Sequence, residues 1–352
     1  MRVAVVGATG MVGREMIRVL EERDFPVDEL VPLASERSRG ENVTFKNKSI
    51  PVEVLSADSF AGVQVALFSA GGSVSLKFAP QAVKKGCVVV DNSSAWRMEE
   101  GVPLVVPEVN PEDVERHRGI IANPNCSTIQ MVVALKPLQD RYGIKRVVVS
   151  TYQSVSGWGK EAVEQLWNET MEIAKKAKQE GVDHWRKLHA DVYRVDVGNR
   201  VLPYQIAFNV LPHIDVFKEN YYSKEEMKMV QETRKIMGLP DLPLTATTVR
   251  VPVFRGHAEA VNIELRKDFC LEEVKTLLQN FPGIKIMDEV SRNIYPFPLM
   301  ADGRNEVFVG RIRRDESLPC SLNLWIVSDN LRKGAALNAV QIAELLLAKK
   351  LL

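Results

Sequence analysis

Val3-Ala4-Val5-Val6-Gly7-Ala8-Thr9-Gly10-Met11-Val12-Gly13 decides the first half of the fold. Four apolar residues make a short buried strand, and the spacing of apolar residues beyond the glycines predicts an amphipathic helix over about 11–22. Strand, glycine turn, helix is the local context that a phosphate-cradling loop requires. Gly7 permits the tight turn, Gly10 lets backbone approach a pyrophosphate, and Gly13 allows close packing of helix on strand. Thr9, Met11 and Val12 complete the turn. The spacing is G-x-x-G-x-x-G instead of G-x-G-x-x-G, so packing alone would also explain the glycines.

The next strand end discriminates further. Leu30-Val31-Pro32-Leu33-Ala34 runs into Ser35-Glu36-Arg37-Ser38-Arg39. A site for NAD places a carboxylate here for the ribose 2′-OH, whereas NADP needs cations and hydroxyls for the 2′-phosphate. Ser35, Arg37, Ser38 and Arg39 favour NADP; Glu36 is the one discordant residue. Val65-Ala66-Leu67-Phe68 then ends in Ser69-Ala70-Gly71-Gly72, and Val88-Val89-Val90 in Asp91-Asn92-Ser93-Ser94. Small and polar residues just past parallel strands are where ligands bind in open α/β sheets. Residues 1–125 therefore read as a Rossmann-type, doubly wound domain.

The chemistry-bearing stretch is Asn123-Pro124-Asn125-Cys126-Ser127-Thr128. An Asn-Pro-Asn turn delivers a thiol to the start of a helix read over 129–139, where peptide N–H groups favour an anion. The expectation is a thiol lowered towards neutrality and reactive; the plain alternative is a structural cysteine beside a turn. The four cysteines (87, 126, 270 and 320) form no CxxC and no dense pairing. That argues against a zinc site or a disulfide framework and fits a reducing cytoplasm. No metal ligand set is expected. A net charge of +1 gives no bulk attraction to nucleic acid or anionic membrane, and no apolar run reaches the roughly 18 residues of a membrane span. At 352 residues the chain is long enough for two cores.

After Val147 the texture changes to period-two alternation, in 147–153, 248–253, 260–265, 307–312 and 321–327, which implies an antiparallel sheet. Helices are expected over 160–178, 271–280 and 334–350. The charged segment 174–200 reads as a surface or oligomer-contact excursion. His117, His184, His189 and His213 match no motif; Cys87, Cys270 and Cys320 read as packing residues.

Taken with the glycine turn and Cys126, further stretches make the whole chain resemble the bacterial-type aspartate-β-semialdehyde dehydrogenases. They are Asp91–Arg97 (DNSSAWR), Tyr152–Gly157 (YQSVSG), Val249–Val253 (VRVPV), Gly256-His257 and Ser328–Ala335 (SDNLRKGA). The resemblance implies an NADP-binding domain over 1–125 and a catalytic and dimerisation domain with a mixed or antiparallel sheet over 126–330. It also implies a carboxyl-terminal helix, 331–352, returning to the first domain. The implied reaction is NADPH-dependent reductive dephosphorylation of L-β-aspartyl phosphate, in lysine, methionine and threonine biosynthesis, by a homodimer.

Carried over residue by residue, the resemblance makes Cys126 the nucleophile and His257 the general acid/base. Gln153 orients the acyl group or the sulfur, and Asn125 donates to the oxyanion. Arg250 clamps the α-carboxylate, and Glu225 pairs the ammonium, with Glu226 its rival. Lys228 and Arg97 hold the phosphate. Ser156, Gly157 and Asn330 line the nicotinamide. Seven residues separate Arg250 from His257, so a straight strand would point them to opposite faces, and Gly256 must bend the chain. Two other readings remain open at this point: a reductase of N-acetylglutamyl phosphate, and a nucleotide-binding protein without turnover.

Overall fold

The computed structural model of the chain describes residues 1–183, 187–198 and 200–352. His184 and part of the 174–200 excursion lie outside the described residues. The first half contributes β1 (Arg2–Val6), α1 (Met11–Glu22), β2 (Glu29–Ala34), β3 (Asn42–Phe45), β4 (Lys48–Pro51), β5 (Glu53–Val54), β6 (Val65–Phe68), α2 (Gly72–Lys84), β7 (Val88–Asp91) and β8 (Ile120–Ala122). Six of these strands form one parallel sheet in the order β5-β2-β1-β6-β7-β8, while β3 and β4 pair separately as a hairpin. The strand order reverses between β1 and β6. Chain ends diverge there and leave a crevice at the carboxyl edge of the sheet, where open α/β folds bind ligands.

Alternation along β1 explains why both sheet faces are covered. Val3 and Val5 pack into one core with α1, and Ala4 and Val6 into another with α2. The central strands are apolar and buried over Val3–Val6 and Val65–Phe68 because neither face meets water there.

The second half builds α3 (Cys126–Tyr142), β9 (Ile144–Gln153), α4 (Lys160–Gln179), α5 (Ala190–Tyr193), α6 (Lys224–Met237), β10 (Leu244–Arg250), β11 (His257–Leu265), α7 (Leu271–Gln279), β12 (Ile284–Ile286), α8 (Pro298–Ala301), β13 (Val307–Arg314), β14 (Ser321–Ser328) and α9 (Leu337–Ala348). Its sheet runs β10-β9-β11-β14-β13-β12. β9–β11, β11–β14 and β13–β14 are antiparallel, but β9–β10 and β12–β13 are parallel. The sheet is therefore mixed. Period-two alternation reports which face is buried and is blind to strand direction.

Other boundaries shift for local reasons. The strand read over 248–253 stops at Arg250, since Pro252 has no N–H to continue a ladder. α3 begins three residues earlier than 129, because Asn125 Oδ1 caps it by accepting from the Ser127 and Thr128 N–H groups at 3.0 and 3.2 Å. The last helix is preceded by a π-turn over Arg332–Ala336. α9 then packs on the core of the first sheet through Leu337, Val340, Ile342 and Leu346. Cys87 is buried as read, but Cys270 is exposed at the start of α7 and Cys320 is half-buried. No helix among the described residues is long and apolar enough to cross a membrane.

Candidate active site

A cavity of about 260 Å³ opens between the crevice of the first sheet and the carboxyl ends of β9 and β10. Cys126, Asn125, Arg97, Gln153, Glu225, Lys228 and Arg250 line it, together with Asn92, Val12, Ser156, Gly157 and Asn330. The residues named from the sequence for substrate and catalysis thus converge from β9, α3, α6, β10 and the turn after β7. His257 is the exception: it is fully buried and lies behind the lining.

Gly256 solves the problem of direction between Arg250 and His257. Its φ of +89° bends the chain, and a Cβ there would stand 2.9 Å from the Pro298 carbonyl oxygen. Arg250 and His257 consequently meet across Gly157, where a Cβ would lie 3.0 Å from Arg250 Nη1 and 3.1 Å from His257 Nε2.

Hydrogen bonds fix what each group can still do. His257 Nδ1 accepts from the Ser154 N–H at 3.1 Å, so the neutral ring carries its proton on Nε2. Nε2 has no partner among the described residues. Burial, then the Arg250 charge, pushes His257 down to about 3, and the ring is neutral at working pH. Gln153 spends its amide hydrogens on Thr151 Oγ1 and Glu225 Oε1, each at 3.2 Å, and has its carbonyl oxygen free. Asn125 donates to Glu225 Oε1 at 2.8 Å, so only one amide hydrogen remains for an oxyanion.

The charges are arranged unevenly. Burial opposes ionisation of Glu225, but Lys228, Asn125 and Arg250 outweigh it and hold the carboxyl at about 2. Glu226 is instead the reciprocal partner of Ser223 in the capping box of α6. That settles which of the two faces the cavity. Arg250 donates to the Ser154 carbonyl at 2.7 Å, while its buried Nε has no partner among the described residues, and burial lowers its pKa. An under-satisfied buried guanidinium is what an incoming carboxylate would complete.

The thiol contradicts the sequence expectation. Burial, reinforced by the Glu225 carboxylate, pushes Cys126 up to about 12 against the opposing pull of Arg97 and Arg250. The helix start alone does not overcome those two effects, and the resting sulfur is protonated.

Two further residues shape the site. Glu232 accepts from Arg97 Nη1 at 3.0 Å and from the Asn125 N–H at 2.7 Å. Arg97 also donates to the Asn123 and Asn92 carbonyl oxygens. The spacing of Glu225 and Glu232, two helical turns apart on α6, was the available signal. Glu232→Ala should cost about 3–5 kcal/mol in denaturant unfolding, because it strands the buried Arg97 charge. Asp215, from the loop before α6, pairs with Lys228 at 3.0 Å and carried no sequence signal.

The nucleotide residues flank the same crevice. Gly13 approaches Gly7 so closely that a Cβ would stand 2.1 Å from the Gly7 carbonyl oxygen. Gly10 caps α1 with no side-chain hydrogen bond, leaving the N–H groups at Met11, Val12 and Gly13 available to a pyrophosphate. Thr9 Oγ1 and Ser38 Oγ are 3.0 Å apart. Ser35 caps the turn that carries Arg37, and within it Glu36 is neutralised by Arg39 at 2.9 Å. Ser69 Oγ donates to the Val6 carbonyl oxygen, and Gly71 and Gly72 open α2. Asn330 Oδ1 accepts from the Gly256 N–H at 2.9 Å, and its Nδ2 donates to Ser156 Oγ at 3.0 Å. These residues fit a dinucleotide.

Comparison with known proteins agrees with this geometry. Residues 2–117 match the family model described as semialdehyde dehydrogenase, NAD binding domain, and residues 135–333 match semialdehyde dehydrogenase, dimerisation domain. An aspartate-semialdehyde dehydrogenase of Aquifex aeolicus is 56% identical over 354 residues, covering 100% of this chain and 99% of that one. The crystal structure of aspartate semialdehyde dehydrogenase II complexed with ASA, from Vibrio cholerae, superposes with a TM-score of 0.90 at 47% identity, over 99% of this chain and 98% of that one. Aspartate semialdehyde dehydrogenase with NADP, from Candida albicans, has a TM-score of 0.72 at 26% identity over 100% and 99% of the two chains. With both halves of the chain matched and a full-length relative at more than half identity, the chain belongs to the aspartate-semialdehyde dehydrogenase family.

Proposed function

We propose that the chain reduces L-β-aspartyl phosphate to L-aspartate-β-semialdehyde with NADPH, releasing phosphate, through a thioester on Cys126. The observation that carries this reading is the charge pattern around the thiol. Glu225 is ionised, Arg250 is under-satisfied, and Lys228 and Arg97 line the same cavity. That set complements one ammonium, one carboxylate and one phosphate. N-acetylglutamyl phosphate carries an uncharged acetamide in place of the ammonium, so it would gain no ionic contact from the Glu225 carboxylate, which would keep only its ion pair with Lys228.

Cys126 attacks the acyl carbon; the carbon–sulfur bond forms as the bond to the phosphate oxygen breaks. The thiol proton leaves with the phosphate, which as hydrogen phosphate balances the step. A substrate ammonium on Glu225 removes one of the causes that keep the thiol protonated, so binding itself prepares the sulfur. His257 donates from Nε2 to the oxygen on which negative charge develops, as a neutral ring can without changing charge. The chemistry that a bound nicotinamide would supply is a hydride for the thioester carbon. With that carbon–hydrogen bond made, the carbon–sulfur bond breaks, the semialdehyde is released, and the Cys126 sulfur leaves as thiolate and regains a proton from solvent. Gln153 accepts from the thiol, and Asn330 and Ser156 hold the wall against which the ring would lie.

Ser35, Arg37 and Ser38, with Glu36 neutralised in its own loop, support NADP over NAD. The exposed aromatic face of the second sheet, where Tyr152 and Trp325 rings lie 5.4 Å apart, supports a homodimer, as does the match to a dimerisation domain. We retain the division into 1–125, 126–330 and 331–352, and a cytoplasmic location. The test is phosphate-dependent reduction of NADP, compared with NAD, using aspartate semialdehyde and N-acetylglutamate semialdehyde as rival substrates. Preference for the acetylated substrate overturns the reading, and so does nucleotide binding without turnover.

A further inference from the structure

We propose that Asp215 is a resident counter-ion of the phosphate subsite: it holds Lys228 when the subsite is empty and competes with phosphate for it. This rests on the reading of Lys228 as a phosphate ligand. Lys228 Nζ stands 3.0 Å from Asp215 Oδ2 and 3.0 Å from Glu225 Oε2. An ammonium already facing two carboxylates has no net attraction left for a phosphate dianion, so one of them must yield.

The geometry says which. Glu225 is tied by Asn125 and Gln153 on its other oxygen, and its side chain is only 6% exposed. Asp215 is 30% exposed, and among the described residues its remaining oxygen accepts only from the N–H of its neighbour Val216, at 2.9 Å. Asp215 can rotate into solvent; Glu225 cannot. The placement of Asp215 is also specific. Its backbone takes a left-handed turn at φ +66°, which Asp tolerates better than most residues, and the Lys224 N–H donates to the Val216 carbonyl oxygen at 2.8 Å. That contact pins the loop to the start of α6, so the carboxylate aims back at Lys228.

Such a group acts on both halves of the phosphate cycle. It excludes stray anions from the empty subsite, yields to the acyl phosphate because the whole substrate binds elsewhere too, and returns when the phosphate is free. Free phosphate, without the aspartyl anchor, is then the weaker competitor and leaves.

The experiment measures the KM for inorganic phosphate in the oxidative direction, at saturating semialdehyde and NADP. Asp215→Asn keeps the acceptor for the Val216 N–H and removes the charge. It should lower the phosphate KM about fivefold relative to the semialdehyde KM. Asp215→Glu should restore the wild-type phosphate KM, a rescue that a purely structural role of the loop would not produce in that parameter alone. Lys228→Met should raise the phosphate KM more than about tenfold. A phosphate KM that is unchanged or raised in Asp215→Asn, while Lys228→Met raises it, overturns the inference and leaves Lys228 as the ligand. An unchanged KM in Lys228→Met removes the phosphate subsite itself. NADP binding by each variant verifies that the fold is intact.

Discussion

Cys126→Ala is expected to lower kcat by about 10⁴-fold or more, while nucleotide affinity stays within about twofold of wild type. The loss is large because the thioester route disappears, and no neighbouring side chain can replace the sulfur: Gln153, Asn125 and His257 are hydrogen-bonding groups. Affinity is spared because Gly10, Gly13 and Ser38 belong to the first sheet's edge and make no contact through the sulfur. Phosphate-dependent NADP reduction and a fluorescence titration with NADPH measure the two quantities. The same residue gives a pH signature. With the thiol pushed up to about 12 in the unliganded protein, thiolate increases with pH all the way to that value. Alkylation by iodoacetamide should therefore rise about tenfold per pH unit between roughly pH 7 and 9, with no plateau. A plateau near neutrality would show that the helix start dominates after all.

This contrast marks what the sequence could carry. Gly7, Gly10 and Gly13 were legible because their constraint is local: a chain turning from strand to helix leaves no room for a Cβ near the Gly7 carbonyl. The start of α3 was legible for the same reason, since Asn125 caps within its own turn. The ionisation of Cys126 was not. It depends on enclosure by Gly334 and Ala335 from the far end of the chain and on Glu225 from α6, and those are tertiary facts. Strand direction in the second sheet was hidden because alternation is the same in parallel and antiparallel ladders.

The missed site residues have a common cause as well. Asp215 sits in an irregular loop, and nothing in Pro212-His213-Ile214-Asp215 separates a solvated carboxylate from one aimed at a cavity. Glu232 could have been found from its spacing to Glu225, yet a glutamate on a charged helix is usually solvated, and only the burial of that face distinguishes it. Conversely, the resemblance supplied His257 without its tautomer. Whether an imidazole gives or takes a proton is decided by its second nitrogen, and here the Ser154 N–H decides it.

That decision leads to a prediction about His257 that separates two chemistries. If the ring acts at rest as a donor through Nε2, a side chain that still offers an N–H should recover part of its effect. His257→Ala is expected to lower kcat about 10³-fold, whereas His257→Gln should lose only about 10- to 100-fold. The depressed imidazole, near 3, fits this assignment. A group that stays neutral above that value polarises an oxyanion well but holds a proton poorly, and the adjacent Arg250 charge makes the imidazolium poorer still. The sign follows for pH as well: since His257 remains neutral as pH falls through the ordinary imidazole range, no loss of kcat near 6.5 should arise from its protonation. Single-turnover rates of thioester formation for the two variants measure the difference. Equal losses in Ala and Gln would mean that the ring must accept the thiol proton, with the Ser154 N–H bond broken on the way.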